Sequence, residues 1–215
     1  MKAFEQEKAS SRVTVIDYQC GNLRSVEQAL LHCGAEVEVT SDPQKVLNAD
    51  KLILPGVGAY PVGMSHLKDL GLVEPILHKA RQGTPLLGIC LGMQLLFEHS
   101  GEHGGANGLG LIKGQVKRIQ ANETRTETRT KLPHIGWNEI TIQKDNCLLC
   151  DTDYFYFVHT YAAIPEDPEA ILASSMYGDV EFCAAVSSGN VWGMQFHPEN
   201  SSTQGLSILS RFVQL

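Results

Sequence analysis

Unbroken apolar runs alternate with stretches whose apolar positions recur every three or four residues, up to about residue 98 of this chain. Val13-Thr14-Val15-Ile16-Asp17 reads as a strand, after which Val26, Ala29, Leu30 and Cys33 recur at helical spacing until Gly34, a residue suited to end a helix. Glu36–Thr40 and Lys51–Leu54 follow as strands, separated by the turn Ser41-Asp42-Pro43 and a short helical stretch, Gln44–Ala49. Helical patterning returns over Met64–Leu70 and Leu72–Gln82, with Pro75 tolerable in a first turn. An apolar strand then leads to Cys90, and a helix is expected over Leu91–Glu98. Strands that are apolar on both faces and alternate with helices predict an α/β fold: a doubly wound, mostly parallel sheet.

The rhythm changes in the second half. Gly114–Ile119, Trp137–Ile142, Tyr154–Tyr161, Ala170–Tyr177, Phe182–Ser187 and Val191–Gln195 read as short strands with few helical intervals, so part of the sheet must be antiparallel. Asn122–Thr130 is polar and mixed in charge, which predicts a solvated loop or hairpin tip. Ser201-Ser202-Thr203-Gln204 forms a candidate capping box before a last helix whose Leu206, Ile208, Leu209, Phe212 and Val213 share one face. There is no internal repeat and no long linker, and 215 residues suit one domain, expected over 12–215 behind a flexible leader at 1–11.

Composition narrows the partners. A net charge of −7 without a basic stripe argues against nucleic acid. No stretch approaches the length of a membrane span and the start of the chain is charged, so a soluble, cytoplasmic protein with no membrane partner is expected. The six cysteines are scattered through expected secondary structure and read as reduced thiols, while Cys147-x2-Cys150 lacks the second pair that a zinc site would need; no metal is expected.

Chemistry concentrates at Leu86-Leu87-Gly88-Ile89-Cys90-Leu91-Gly92-Met93-Gln94. A thiol at a sharp strand-to-helix turn meets the free N–H groups and dipole of the helix start, which favour the reactive thiolate. A plain core cysteine is the alternative, but Gly88 and Gly92 strip side chains from the places where the backbone must turn and a substrate must approach. A thiolate nucleophile needs a base, and the base needs a group that fixes its tautomer. Gln195-Phe196-His197-Pro198-Glu199 offers both, because residues i and i+2 of an extended segment point the same way.

Together these two stretches resemble the class I (triad) glutamine amidotransferases, which implies a flavodoxin-like form of the doubly wound sheet. The resemblance implies that Cys90 attacks the side-chain amide of glutamine, that His197 is general base and then acid, and that Glu199 orients His197. Acyl transfer also needs oxyanion donors, each contributing about 2.7–4 kcal/mol. The backbone N–H of Leu91 is one source; by resemblance the turn Pro55-Gly56-Val57-Gly58 supplies another from Val57 or Gly58, after a peptide flip. Also by resemblance, Gly58, Gln94, Glu102 and the backbone at Thr160 and Tyr161 grip glutamine, and no cofactor is implied.

Ammonia is largely protonated near neutral pH and is lost if released to water, so it must pass directly to an acceptor site. The sequence holds neither a Gly-x-x-x-x-Gly-Lys-Ser/Thr loop nor a Gly-x-Gly-x-x-Gly fingerprint for such a site, which implies a separate synthase polypeptide. The stretches Asp17-Tyr18, Gly21-Asn22-Leu23, Ser25-Val26, Leu54–Gly58, Pro133-His134-Ile135-Gly136-Trp137-Asn138 and Tyr156–Tyr161 are similar to the glutaminase-subunit family of imidazole glycerol phosphate synthases. That resemblance implies a heterodimer with a TIM-barrel cyclase, which uses the ammonia in histidine biosynthesis to form imidazole glycerol phosphate and aminoimidazole carboxamide ribotide. Pro133–Asn138 is then a candidate interface or channel mouth, with Trp137 as a cap on the core the plain alternative. Asn200 departs from the Lys or Arg usual in that family, and Tyr60-Pro61-Val62 is unusual for it. Rival readings are a class I glutaminase subunit of another synthase, a non-catalytic flavodoxin-like regulatory subunit, and a stand-alone cysteine hydrolase.

Overall fold

The computed structural model describes residues 11–120, 131–150 and 152–215, so all of the expected leader but Ser11 and the whole polar stretch 122–130 lie outside the described residues. Strand β1 (Arg12–Ile16) shows how the chain builds two cores at once: Val13 and Val15 enter one apolar cluster and Ile16 the other. The same alternation recurs in β3 (Leu52–Leu54), where Ile53 faces one cluster and Leu52 and Leu54 face the other. Between them lie α1 (Leu23–His32), β2 (Glu36–Thr40) and α2 (Pro43–Leu47), and after them α3 (Tyr60–Asp69), α4 (Val73–Arg81) and β4 (Leu86–Ile89).

Past Cys90 come α5 (Leu91–Leu95), β5 (Phe97–Ser100), β6 (Ala106–Asn107), β7 (Ile112–Arg118), β8 (His134–Ile142), β9 (Tyr154–His159) and β10 (Tyr161–Pro165). The chain ends with β11 (Ile171–Tyr177), β12 (Val180–Ser188), β13 (Val191–Met194) and α6 (Ser202–Gln214). Nine strands form one sheet in the order β2-β1-β3-β4-β13-β12-β11-β8-β9. Its first four pairings are parallel and the remaining four antiparallel, so the doubly wound sheet and its antiparallel extension are both as expected. Helices α1 and α6 cover one face through Val26, Leu30, Ile208, Leu209 and Phe212; α2 to α5 cover the other through Val46, Met64, Leu67, Ile76 and Leu91.

Four local expectations are corrected. The helix expected over Leu91–Glu98 stops at Leu95, because Phe97–Ser100 leaves to pair with β7 and β6 in a second, four-stranded sheet. The single strand expected over Tyr154–Tyr161 breaks at Thr160, so that β9 stays in the large sheet and β10 crosses to β7. Helix α3 begins at Tyr60 rather than Met64, with Pro61 in its first turn where a missing N–H costs nothing. The capping box at 201–204 does not form: Ser201 makes no side-chain cap bond and spends its hydroxyl elsewhere. Among the described residues no helix is long and apolar enough to cross a membrane, and no cluster of His, Cys, Asp or Glu could hold a metal ion. Trp137 does not cap the core either; it is 50% exposed.

Candidate active site

Strands β4 and β13 run parallel side by side in the interior of the large sheet and deliver Cys90 and the His197 segment to the same end of it. Cys90 takes φ 53° and ψ −108°, a conformation that costs a non-glycine residue about 1–3 kcal/mol and that the surrounding packing must hold. Its N–H donates to the Met194 carbonyl at 2.7 Å. Gly92 permits the turn, since a Cβ there would fall 1.7 Å from the Leu54 carbonyl oxygen on the neighbouring strand. Through this close approach the expected elbow is realised. The helix that follows has only five residues, so its dipole is smaller than the sequence suggested.

A cavity of about 230 Å³ opens over the sulfur, lined by Val57, Gly58, Cys90, Leu91, Gln94, Glu102, Pro133, Val158, His159, Thr160 and Tyr161. Every residue that the resemblance named for the oxyanion or for gripping glutamine is therefore in one place. His197 and Glu199 line an adjoining cavity of about 120 Å³, which shares Val57 and Val158 with the first. A groove of about 600 Å³ beside Lys117, Phe182 and Cys183 is larger but contains no histidine.

Glu199 Oε1 lies 2.7 Å from His197 Nδ1, with the two side chains 3% and 5% exposed. Nδ1 thus carries the proton and Nε2 is left facing inward, buried and without a hydrogen-bond partner. Burial pushes His197 down, but the nearby Cys90 sulfur and the Glu199 carboxylate outweigh it and raise the imidazole to about 10. Cys90 Sγ touches the Val158 carbonyl at 3.8 Å and receives the Gln195 amide at 3.7 Å. The arrangement places a protonated imidazole near the Cys90 sulfur.

The Leu91 N–H donates to the Gly56 carbonyl at 3.2 Å, so in this conformation that oxyanion donor is engaged. That N–H becomes free only if the 56–57 peptide turns the Gly56 carbonyl away. Beside that peptide sits the Tyr18 hydroxyl, buried and unpartnered, within 1.9 Å of where a Gly56 Cβ would stand. Gln94 Nε2 donates to the Tyr161 carbonyl at 2.9 Å and to Gln195 Oε1 at 3.0 Å. Glu102, expected in a glycine-rich loop, is 9% exposed and accepts from the Tyr60 N–H at 2.8 Å, closing the start of α3 while bordering the cavity.

Sequence reasoning quoted the stretches that hold Val158, His159 and Gln195 without giving these residues a role, and read Ser201 as a helix cap. Ser201 Oγ donates to the His197 carbonyl at 2.6 Å and accepts from the Tyr156 N–H at 3.0 Å, tying the histidine segment to β9. The only available signal was its position two residues after Glu199.

A model of the family described as glutamine amidotransferase class-I matches residues 14–215. Curated relatives named imidazole glycerol phosphate synthase subunit HisH are similar along nearly the whole chain. That of Bacillus licheniformis is 48% identical over 204 residues, 94% of this chain and 95% of that protein. That of Geobacter sulfurreducens is 44% identical over 208 residues, 95% of this chain and 99% of that protein. Among solved structures, one titled as a glutamine amidotransferase has a TM-score of 0.71 at 20% identity, covering 94% of this chain and 97% of its own. PurLQS from Thermotoga maritima has a TM-score of 0.72 at 18% identity, covering 95% and 98%. At such identities these two show the fold alone.

Proposed function

The chain belongs to the class I glutamine amidotransferase family, and on that premise we propose that it is the glutaminase subunit of an imidazole glycerol phosphate synthase in histidine biosynthesis, with Cys90, His197 and Glu199 as its catalytic residues. One observation carries the assignment of residues: a buried imidazole, held by the Glu199 carboxylate at 2.7 Å, lines a cavity that adjoins the one over the Cys90 sulfur, itself set at a strained elbow.

Cys90 sulfur attacks the side-chain amide carbon of glutamine, and the oxygen takes up the negative charge. The Leu91 N–H and an N–H from Val57 or Gly58 receive it once the Gly56 carbonyl has turned away. His197 gives its proton to the departing nitrogen, which leaves as ammonia, and a glutamyl thioester remains on Cys90. Water then attacks the thioester while His197 takes its proton; the C–S bond breaks, and glutamate leaves. Glu199 keeps the Nδ1 proton in place throughout.

A partner subunit follows from the function, and a TIM-barrel cyclase is the proposed one. Ile135, Trp137 and Tyr154 leave 59%, 50% and 53% of their surface exposed on paired strands β8 and β9. Ile135 pairs with Val158, whose carbonyl touches Cys90 Sγ, so this apolar face adjoins the wall of the glutamine cavity and suits a docking surface where ammonia is handed over. Asn200 is exposed and brings no cation to that rim. The common name of the relatives and the Pro133–Asn138 stretch both weigh against a subunit serving another synthase.

The test is reconstitution. Glutamate release by this chain alone should be negligible and should rise steeply with the cyclase and its nucleotide ligand; equal release with and without the partner sinks the coupling. Cys90→Ser should abolish glutamine-dependent turnover by the complex and spare ammonia-dependent turnover, whereas loss of both refutes the division of labour.

A further inference from the structure

Behind the glutamine cavity, four polar contacts join two main-chain carbonyls through three side chains. His159 Nδ1 lies 2.8 Å from the Tyr161 carbonyl oxygen, and His159 Nε2 lies 3.0 Å from His134 Nδ1. His134 Nε2 lies 2.7 Å from Asn138 Oδ1, and Asn138 Nδ2 donates to the Met176 carbonyl at 2.7 Å. Four hydrogen bonds need four protons. A neutral imidazole supplies one, so two supply two, and the asparagine amide supplies one to this chain. That leaves one bond without a proton. Reversing the amide or exchanging tautomers only moves the deficit along, because both ends of the chain are carbonyls that can only accept.

We infer that His134 and His159 share one extra proton, forming a buried imidazole–imidazolium pair that positions the wall of the glutamine cavity. Without that proton two bare lone pairs would face each other, either between the rings at 3.0 Å or, in the other tautomer, between His134 Nε2 and Asn138 Oδ1 at 2.7 Å. Burial opposes the charge, pulling His134 down and His159 down to about 3. Against that penalty stand two aromatic faces: the His134 ring stacks on Tyr177 at 4.0 Å and on Phe157 at 5.2 Å. Aromatic faces within about 6 Å attract a cation. Among the titratable groups, Tyr177 of β11 turns its hydroxyl away to the Lys131 carbonyl, and His197 opposes the charge from beyond β13. Neutral Asn138 of β8, Phe157 of β9, the Tyr161 carbonyl of β10 and Phe182 of β12 complete the surroundings.

The consequence reaches the site. The Tyr161 carbonyl that His159 holds is the same one that receives the Gln94 amide, and His159 itself lines the cavity. At its other end the pair is anchored by Asn138, next to exposed Trp137. Rigid hydrogen bonding thus runs from the proposed docking strand to the segment proposed to grip glutamine; this catalytic part of the inference rests on the proposed glutaminase function.

Ring-nitrogen spectra of the full chain, 15N-labelled at histidine, test the proton directly at pH 7. The two rings together should show at most one acceptor-type nitrogen; two, one on each ring, overturn the inference. Asn138→Ala ends the chain at His134, so the remaining bonds are met by two neutral rings and a second acceptor-type nitrogen should appear. Asn138→Asp keeps an acceptor there and should retain the proton. In the assembled synthase with saturating partner, Asn138→Ala should raise the KM for glutamine about fivefold and Asn138→Asp should not. Equal KM values for the two variants overturn the positioning role. A wild-type complex without glutamine-dependent turnover would refute the glutaminase reading, and the spectra would still decide the proton.

Discussion

Glu199→Gln isolates what the carboxylate does. Gln has nearly the same shape and retains an oxygen that can reach His197 Nδ1, now 2.7 Å from Glu199 Oε1, but the charge is gone. Its amide can also present an NH2 group to Nδ1 and so favour the wrong tautomer. The lower bound on the loss is that of one hydrogen bond to a charged group, about 1.5 kcal/mol. An upper bound comes from Coulomb attraction between unit charges about 4 Å apart at an effective dielectric near 20, about 4 kcal/mol. The side chains are 3% and 5% exposed, so solvent does little to screen the pair. Since about 1.4 kcal/mol is tenfold in rate, kcat/KM for glutamine should fall by about 10- to 1000-fold. The assay is turnover by the reconstituted synthase, driven by glutamine and separately by ammonia. Ammonia-driven turnover should be unchanged, because the acceptor chemistry is in the partner. A glutamine-driven rate within about threefold of wild type would show that the carboxylate does not support the imidazolium, and an equal loss with ammonia would show damage to the assembly instead.

Other outcomes follow from the same geometry. His197 sits above its ordinary 6.5, at about 10, so its contribution to stability is complete below pH 6.5 and is lost as pH climbs through 10; burial works against the shift, and the Cys90 sulfur is the largest contributor to it. Cys90→Ala should therefore bring the His197 midpoint down, read from its ring protons by NMR, and an unmoved midpoint contradicts the pairing. Gly92→Ala forces a Cβ to within 1.7 Å of a main-chain oxygen that cannot step aside, and should destabilise the fold by about 1–3 kcal/mol or more, measured by denaturant unfolding; a neutral result refutes the packed elbow. Trp137→Ala should weaken association with the cyclase about 30-fold, as loss of an interfacial aromatic anchor of about 2 kcal/mol does, while the free chain keeps its unfolding midpoint. Unchanged affinity by titration calorimetry places the docking face elsewhere.

The parallel half of the fold was legible because its signal is local. In β1, β3 and β4 the apolar side chains divide between two cores, so unbroken apolar runs between helical patterns leave few alternatives. What escaped was set by pairing at a distance. Nothing in Phe97–Ser100 distinguishes the end of a helix from a strand; β7, more than ten residues downstream, makes it a strand. Thr160 breaks an otherwise continuous β pattern because β10 finds its partner in the other sheet, and that break brings Thr160 and Tyr161 into the cavity.

The site divides in the same way. Cys90, His197 and Glu199 were legible because a turn and an i, i+2 spacing fix their geometry within a few residues. The roles of Gln195 and Ser201 were not, although one opens the same motif and the other follows it, since their partners Gln94 and Tyr156 come from distant segments. Ser201 is the instructive case: its sequence predicts a helix cap worth about 1 kcal/mol, yet its hydroxyl bridges the His197 carbonyl and the Tyr156 N–H instead. Two buried partners outweigh one cap, because leaving the Tyr156 donor unmet costs more than leaving a helix end to water. The histidine is thereby fixed at both ends, by Glu199 at its ring and by Ser201 at its backbone. Ser201→Ala should accordingly lower kcat for glutamine more than it raises KM, since the base would lose its placement and the cavity residues would keep theirs. A change confined to KM would mean that Ser201 supports the cavity wall through β9 and not the base.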